Sequence, residues 1–263
     1  MKKSICKKEV LILSKMMMVF LFLIAGITAA SGEKENKIFL LKGLGNQIFL
    51  PESYLKNSNL TVEVTYLANG MNGFVLDKPF PSSLEALKGI KVVILANVPA
   101  SALGGFTGRR TLRRFVENGG SLLVFGGHFS YGEGDIVGTP LEDILPVAIT
   151  GPWDIVKITT FLVKPAKISS LTTDLNWSRK PVLYYCHKTT PKIDSDVLLE
   201  CDGIPVLVTG KFGKGKVAAF MGTNLGLAKE GETFFYEWPD YETLLSRVMQ
   251  WLLDGPGDIA VKK

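Results

Sequence analysis

The sequence predicts an α/β fold, with a mostly parallel central sheet and an added antiparallel β portion in the second half. Three observations carry this. Residues 92–98, apolar but for Asn97, and residues 122–125 show no alternation, as suits strands covered on both faces. Between them Leu112, Phe115 and Val116 recur at helical spacing. From about residue 155 the pattern changes to short alternating runs and a glycine-rich hairpin.

In chain order, residues 1–30 have the layout of an export signal. Lys2, Lys3, Lys7, Lys8 and Lys15 form a basic start, residues 16–24 an apolar run, and Thr28-Ala29-Ala30 a small-residue cleavage site before Ser31. The run is shorter than the roughly 20 residues a membrane span needs. The expected destination is therefore the periplasm, the cell surface or the medium. Membrane attachment is expected only if the segment stays uncleaved. No linker or repeat interrupts residues 31–263, which are expected to form a single domain.

Residues 33–36 make a polar start. Residues 37–41 read as a first strand ending at Gly43-Leu44-Gly45-Asn46, and residues 61–67 as a second, bounded by Asn69-Gly70. Serines at 82 and 83 open a short helix that Gly89 closes. A helix is expected over 108–118, capped by Thr107 and stopped by Gly119-Gly120. Arg109, Arg110, Arg113 and Arg114 fall on its other side, as a solvated face or an anion patch. Residues 141–145 form a helical turn before Pro146. Strands follow at 155–163, 181–188 and 197–201, then a hairpin of 205–210 and 216–221 around Gly213 and Gly215. The last element is an amphipathic helix with Tyr241, Leu244, Leu245, Val248, Met249 and Leu252 on one side, entered near Pro239 and ended by Gly255-Pro256.

The formal charge of +5 resides almost wholly in residues 1–30, where five lysines face Glu9; the rest has 25 basic and 24 acidic residues. A nucleic-acid partner is thereby excluded from the expectation. Cys6 belongs to the leader, leaving Cys186 and Cys201. In an oxidising compartment such a pair is expected to bridge, worth about 3 kcal/mol by loop entropy. Two buried free thiols are the alternative. Neither cysteine belongs to a C-x-x-C pattern, so no metal is expected. No cofactor is expected either.

Residues 115–127, then Phe129-Ser130-Tyr131-Gly132, then residues 138–147, resemble the glutamine amidotransferase-like family, as does the hairpin at 213–220. The resemblance spans roughly residues 85–255. It implies a class I glutamine amidotransferase-like fold, a flavodoxin-like three-layer sandwich. Amidotransferases of this type carry a cysteine at a glycine-flanked strand-to-helix elbow, completed by a histidine and a glutamate. Here the strand at 122–125 runs into Gly126-Gly127-His128, with no cysteine in the loop. Thiol-based glutamine hydrolysis is therefore not expected, since the activated nucleophile is missing.

The loop itself is polar and glycine-rich. His128, Ser130 and Glu133 are the candidates for catalysis by an unrecognised hydrolase. Gly126, Gly127, His128, Tyr131, Asp135, Trp153 and Trp238 are the candidates for ligand binding. The competing reading is a structural loop folded over the sheet end. Aromatic residues beside carboxylates, at Trp153-Asp154 and across residues 234–238, suit sugar rings. The expectation is an exported binding or assembly module with a carbohydrate or protein partner.

Overall fold

The computed structural model describes residues 37–71 and 73–254. The expected leader, the polar start at 33–36 and the stop at Gly255-Pro256 lie outside the described residues.

The strands are β1 (Lys37–Lys42), β2 (Thr61–Gly70), β3 (Gly73–Leu76), β4 (Ile90–Ala96), β5 (Ser121–Phe125), β6 (Val147–Ile149), β7 (Ile155–Lys157), β8 (Val163–Pro165), β9 (Tyr185–His187), β10 (Thr189–Pro191), β11 (Asp196–Cys201), β12 (Ile204–Phe212) and β13 (Gly215–Phe220). The helices are α1 (Glu52–Asn57), α2 (Gly105–Glu117), α3 (Pro140–Ile144) and α4 (Tyr241–Leu253). Nine strands form one sheet in the order β3-β2-β1-β4-β5-β13-β12-β11-β8. From β2 to β13 every pairing is parallel. β3 at one edge, and β12, β11 and β8 at the other, are antiparallel to their neighbours. The expected parallel core with an antiparallel addition is what forms.

Alternation along the central strands explains the layering. Ile38, Leu40, Val92, Ile94, Leu123 and Phe125 join the apolar cluster that holds Leu244, Leu245, Val248 and Leu252 of α4. Phe39, Leu41, Val93, Leu95, Leu122 and Val124 join the other, with Leu112, Phe115 and Val116 of α2. Runs that look continuously apolar are thus two interleaved faces, each covered by helix. The end of α4 is fixed from the sheet. Lys216 of β13 is buried and its Nζ donates to Trp251 O (2.9 Å) and to Asp254 O, placing a cation at the helix C-terminus. Ser121 Oγ of β5 donates to Leu252 O at 2.8 Å.

Several boundaries differ from expectation. α2 starts at Gly105, and Thr107 lies inside it; the preceding Gly104 takes a left-handed conformation (φ 70°) with no side-chain cap. The serine-capped helix near residue 85 is only a 3-10 turn over Glu85–Leu87. The single strand expected at 155–163 is two strands, β7 and β8: the first pairs with β9 in a small sheet and the second with β11 at the edge of the large one.

The expected Cys186–Cys201 bridge does not form: both are free, buried thiols. Cys186 sits in the small β7-β9 sheet and Cys201 in the large sheet, where its Sγ donates to Thr160 O at 3.3 Å. Burial pushes the Cys186 thiol well above its ordinary range. Burial, then the charge of Asp202, pushes Cys201 up to about 12. Both are protonated near neutral pH and poor nucleophiles.

Both thiols should therefore alkylate fully after unfolding without reductant, and reduction should leave the mass unchanged; a bridged species would refute this. The unfolded Cys201 thiol ionises near 9.0, whereas the folded one holds its proton to about 12. The unfolded chain loses the proton first, so stability should be intact below pH ~9 and fall as pH rises towards ~12. A urea midpoint that stays flat over that range would contradict the assignment.

Candidate functional site

In sheets of this kind ligands gather at the carboxyl ends of the strands, and β5 ends at Phe125. The chain then turns through a space too tight for side chains. A Cβ on Gly126 would lie 2.4 Å from Gly222 O and 3.0 Å from His187 Cδ2. Gly127 has φ 135°, and a Cβ there would lie 2.5 Å from Asn97 Oδ1. Asn97, directly after β4, is itself left-handed (φ 58°). Its Nδ2 donates to Leu44 O at 2.7 Å and its Oδ1 accepts from Phe129 N at 2.7 Å. One amide side chain thereby ties together the loops that follow β1, β4 and β5.

Under this turn lies a hydrogen-bonded couple with both side chains fully buried. His187 Nδ1 is 2.9 Å from Asp154 Oδ1. An ionised carboxylate only accepts, so Nδ1 carries a proton. Nε2 is engaged by the Gly127 backbone, 3.1 Å from both its amide nitrogen and its carbonyl oxygen. Tyr131 packs its ring 4.7 Å from the imidazole and donates its hydroxyl to Phe220 O at 3.0 Å. Burial, and secondarily the charge of Asp154, pushes the Tyr131 phenol well above its ordinary range. Asp154 is held from behind: its carbonyl accepts from Lys188 N at 2.7 Å. Asp154 Oδ2 has no hydrogen-bond partner. Gly132 permits the approach, since a Cβ there would lie 2.7 Å from Asp154 Oδ1.

A carboxylate that orients an imidazole is also half of a nucleophilic triad, but here both side chains are closed to solvent. The third member is the Gly127 backbone instead of a hydroxyl or thiol.

The candidates read from sequence scatter around this centre. Gly126 and Gly127 are buried within it. His128 and Asp135 are exposed and Glu133 is half-buried. Ser130 is buried and its Oγ donates to Phe125 O at 2.6 Å, so it does not face His128 as a nucleophile would. Tyr131 is core. Trp238 is also core, packed 4.5 Å from Trp177 and 6.4 Å from Phe235 between ring centroids, and closed to a surface ligand. Trp153 is 84% exposed. His187 and Asp154 were missed as a pair because 33 positions separate them. The one signal available was that residues 31–263 contain just two histidines. Among the described residues no three His, Cys, Asp or Glu side chains converge as a metal set.

Beside the turn a cleft of about 410 Å³ opens between the loop after β1 and the segments that follow β13 and precede α4. Gly45, Gln47, Ile48, Asn224, Tyr236 and Glu237 line it.

The sequence matches the family described as "Putative glutamine amidotransferase" over residues 49–254. That match covers most of the chain, and the chain belongs to this family. A cytoplasmic protein of Salmonella typhimurium LT2 (STM1381) superposes with a TM-score of 0.67 at 22% identity, covering 82% of this chain and 99% of that one. A "Putative thua-like protein" from Bacteroides uniformis gives 0.55 at 14% identity, covering 86% and 94%. At these identities the likeness is one of fold. No curated protein matches the sequence.

Replacing His187 by Ala should cost about 3–5 kcal/mol, because it leaves Asp154 as an unpaired buried charge. His128→Ala should stay within about 0.5 kcal/mol, as exposed substitutions do. Equal losses in chemical denaturation would show that the buried pair is not what holds the turn.

Proposed function

We propose that this member of the glutamine amidotransferase-like family is an exported binding module that does not hydrolyse glutamine and takes a carbohydrate as its ligand. One observation carries the first part. The turn after β5, read as the place of the family's nucleophile, holds Gly126 and Gly127, and His187 Nε2 is engaged by the Gly127 backbone. Neither remaining cysteine supplies a substitute, because both thiols are buried and protonated. An amidotransferase-like frame with its base occupied by backbone suits binding better than acyl transfer.

Export rests on the basic, apolar and small-residue order of residues 1–30. The similar Salmonella protein is described as cytoplasmic, which leaves that order as the basis for the reading. Carbohydrate is supported by the exposed indole of Trp153 and by the amide-lined cleft. A hydrolase built on the loop around His128 has less support, since Ser130 is spent on Phe125 O.

The test uses protein recovered from outside the cytoplasm, whose chain should begin at Ser31. Incubated with glutamine it should release no more ammonia than buffer alone. Release that disappears in Cys186→Ser or His187→Ala would overturn the reading.

A further inference from the structure

We propose that the cleft beside the turn is a seat for a neutral, hydroxyl-rich ligand of saccharide type. This rests on the binding-module reading and adds to it the site and the groups that recognise the ligand.

Position is the first ground. The cleft lies where β1 and β13 deliver their carboxyl ends, and β1 is the strand at which the parallel order reverses, with β2 on one side and β4 on the other. Its volume of about 410 Å³ is that of a small-molecule site.

Rigidity is the second. Tyr236 forms one wall and is immobilised at both ends. Its hydroxyl donates to Gly222 O at 2.8 Å, and its ring meets Phe49 edge-on at 4.9 Å. Phe49 in turn stacks on Phe125 at 5.4 Å. The opposite wall is a 3-10 turn over Asn46–Ile48, held by Asn46 Nδ2 donating to Gly43 O at 2.7 Å. Gly45 (φ 67°) lies so close to Asn224 that a Cβ would fall 2.3 Å from its Nδ2. Any side chain at 45 would displace that amide. The site is thus formed before a ligand arrives.

Chemistry is the third. Gln47 and Asn224 each offer a carbonyl acceptor and two N–H donors, and Glu237 offers an acceptor pair. A sugar hydroxyl is both donor and acceptor and so suits either amide. Ile48 supplies the apolar part of the lining, backed by the buried Tyr236. No lysine or arginine lines the cleft, and with Glu237 at its rim an anionic ligand is disfavoured.

The test is an amide-resolved NMR titration of the mature protein with glucose, maltose and cellobiose, with inorganic phosphate as the anionic probe. A saccharide should shift the amides of Gly45, Gln47, Asn224 and Glu237. Asn224→Leu should weaken it about tenfold, the effect of losing one polar partner, at an unchanged melting temperature. Shifts clustered elsewhere, for instance around Trp153, with full affinity in Asn224→Leu, would overturn the cleft while leaving the binding-module reading standing. Phosphate binding in the cleft without saccharide binding, or no shift with any probe, would overturn the ligand class. Glutamine hydrolysis would instead defeat the parent reading, so the two failures are told apart.

Discussion

Close approach of backbone to backbone after β5 is the constraint on which the site depends. Gly126 and Gly127 run between Gly222 O on one side and the Asn97 carboxamide on the other, at distances that admit no side chain. Because the main chain comes so near, its own N–H reaches the His187 imidazole. The imidazole needs Asp154 to hold its tautomer, and Asp154 needs Gly132 to make room for it. Each group is positioned through the next, although Asp154 Oδ2 is left without a partner. The network is therefore incomplete at one buried oxygen, and it holds the turn through the hydrogen bonds it does make.

The antiparallel half of the molecule acquires a role from this arrangement. β9 is not part of the large sheet, yet it pairs with the residues that leave β13: Cys186 bridges to Gly222, and His187 N donates to Met221 O at 2.9 Å. That pairing carries His187 under the end of β5. Asp154 arrives on the loop before β7, which is the partner strand of β9. The parallel half presents the turn and the added half presents the His187–Asp154 couple beneath it. The neighbouring cleft draws on both ends of the chain in the same way, with Gln47 from the loop after β1 and Asn224 and Glu237 from beyond β13.

How much of this was legible in the sequence follows from the range of the forces involved. β4, β5, α2 and the β12–β13 hairpin are specified by local periodicity and turn residues, and all form, with α2 starting three residues earlier than expected. β6 and β10, three residues each, pair only because tertiary structure brings residues 147–149 and 189–191 together, and nothing local announces them. Trp238 and Tyr131 look alike as aromatic-polar candidates whether they face water or core, and their neighbours decide for the core. The cysteines are close in sequence, but spacing does not set the direction of their Cβ vectors, on which bridging depends. The His187–Asp154 couple is a relation between two distant stretches, and it becomes visible only when strands are paired.

The central place of β13 bears on how the protein comes into being. This strand comes late in the described chain, yet it fills the slot between β5 and β12, in the middle of the sheet. A chain emerging from the ribosome up to residue 200 therefore has β5 as an open, apolar edge with no partner to close it. Nucleation confined to the first half leaves that edge available to other chains until residues 215–220 appear. Closing it takes contacts between residues nearly a hundred positions apart, and non-local pairing of this kind goes with slow folding.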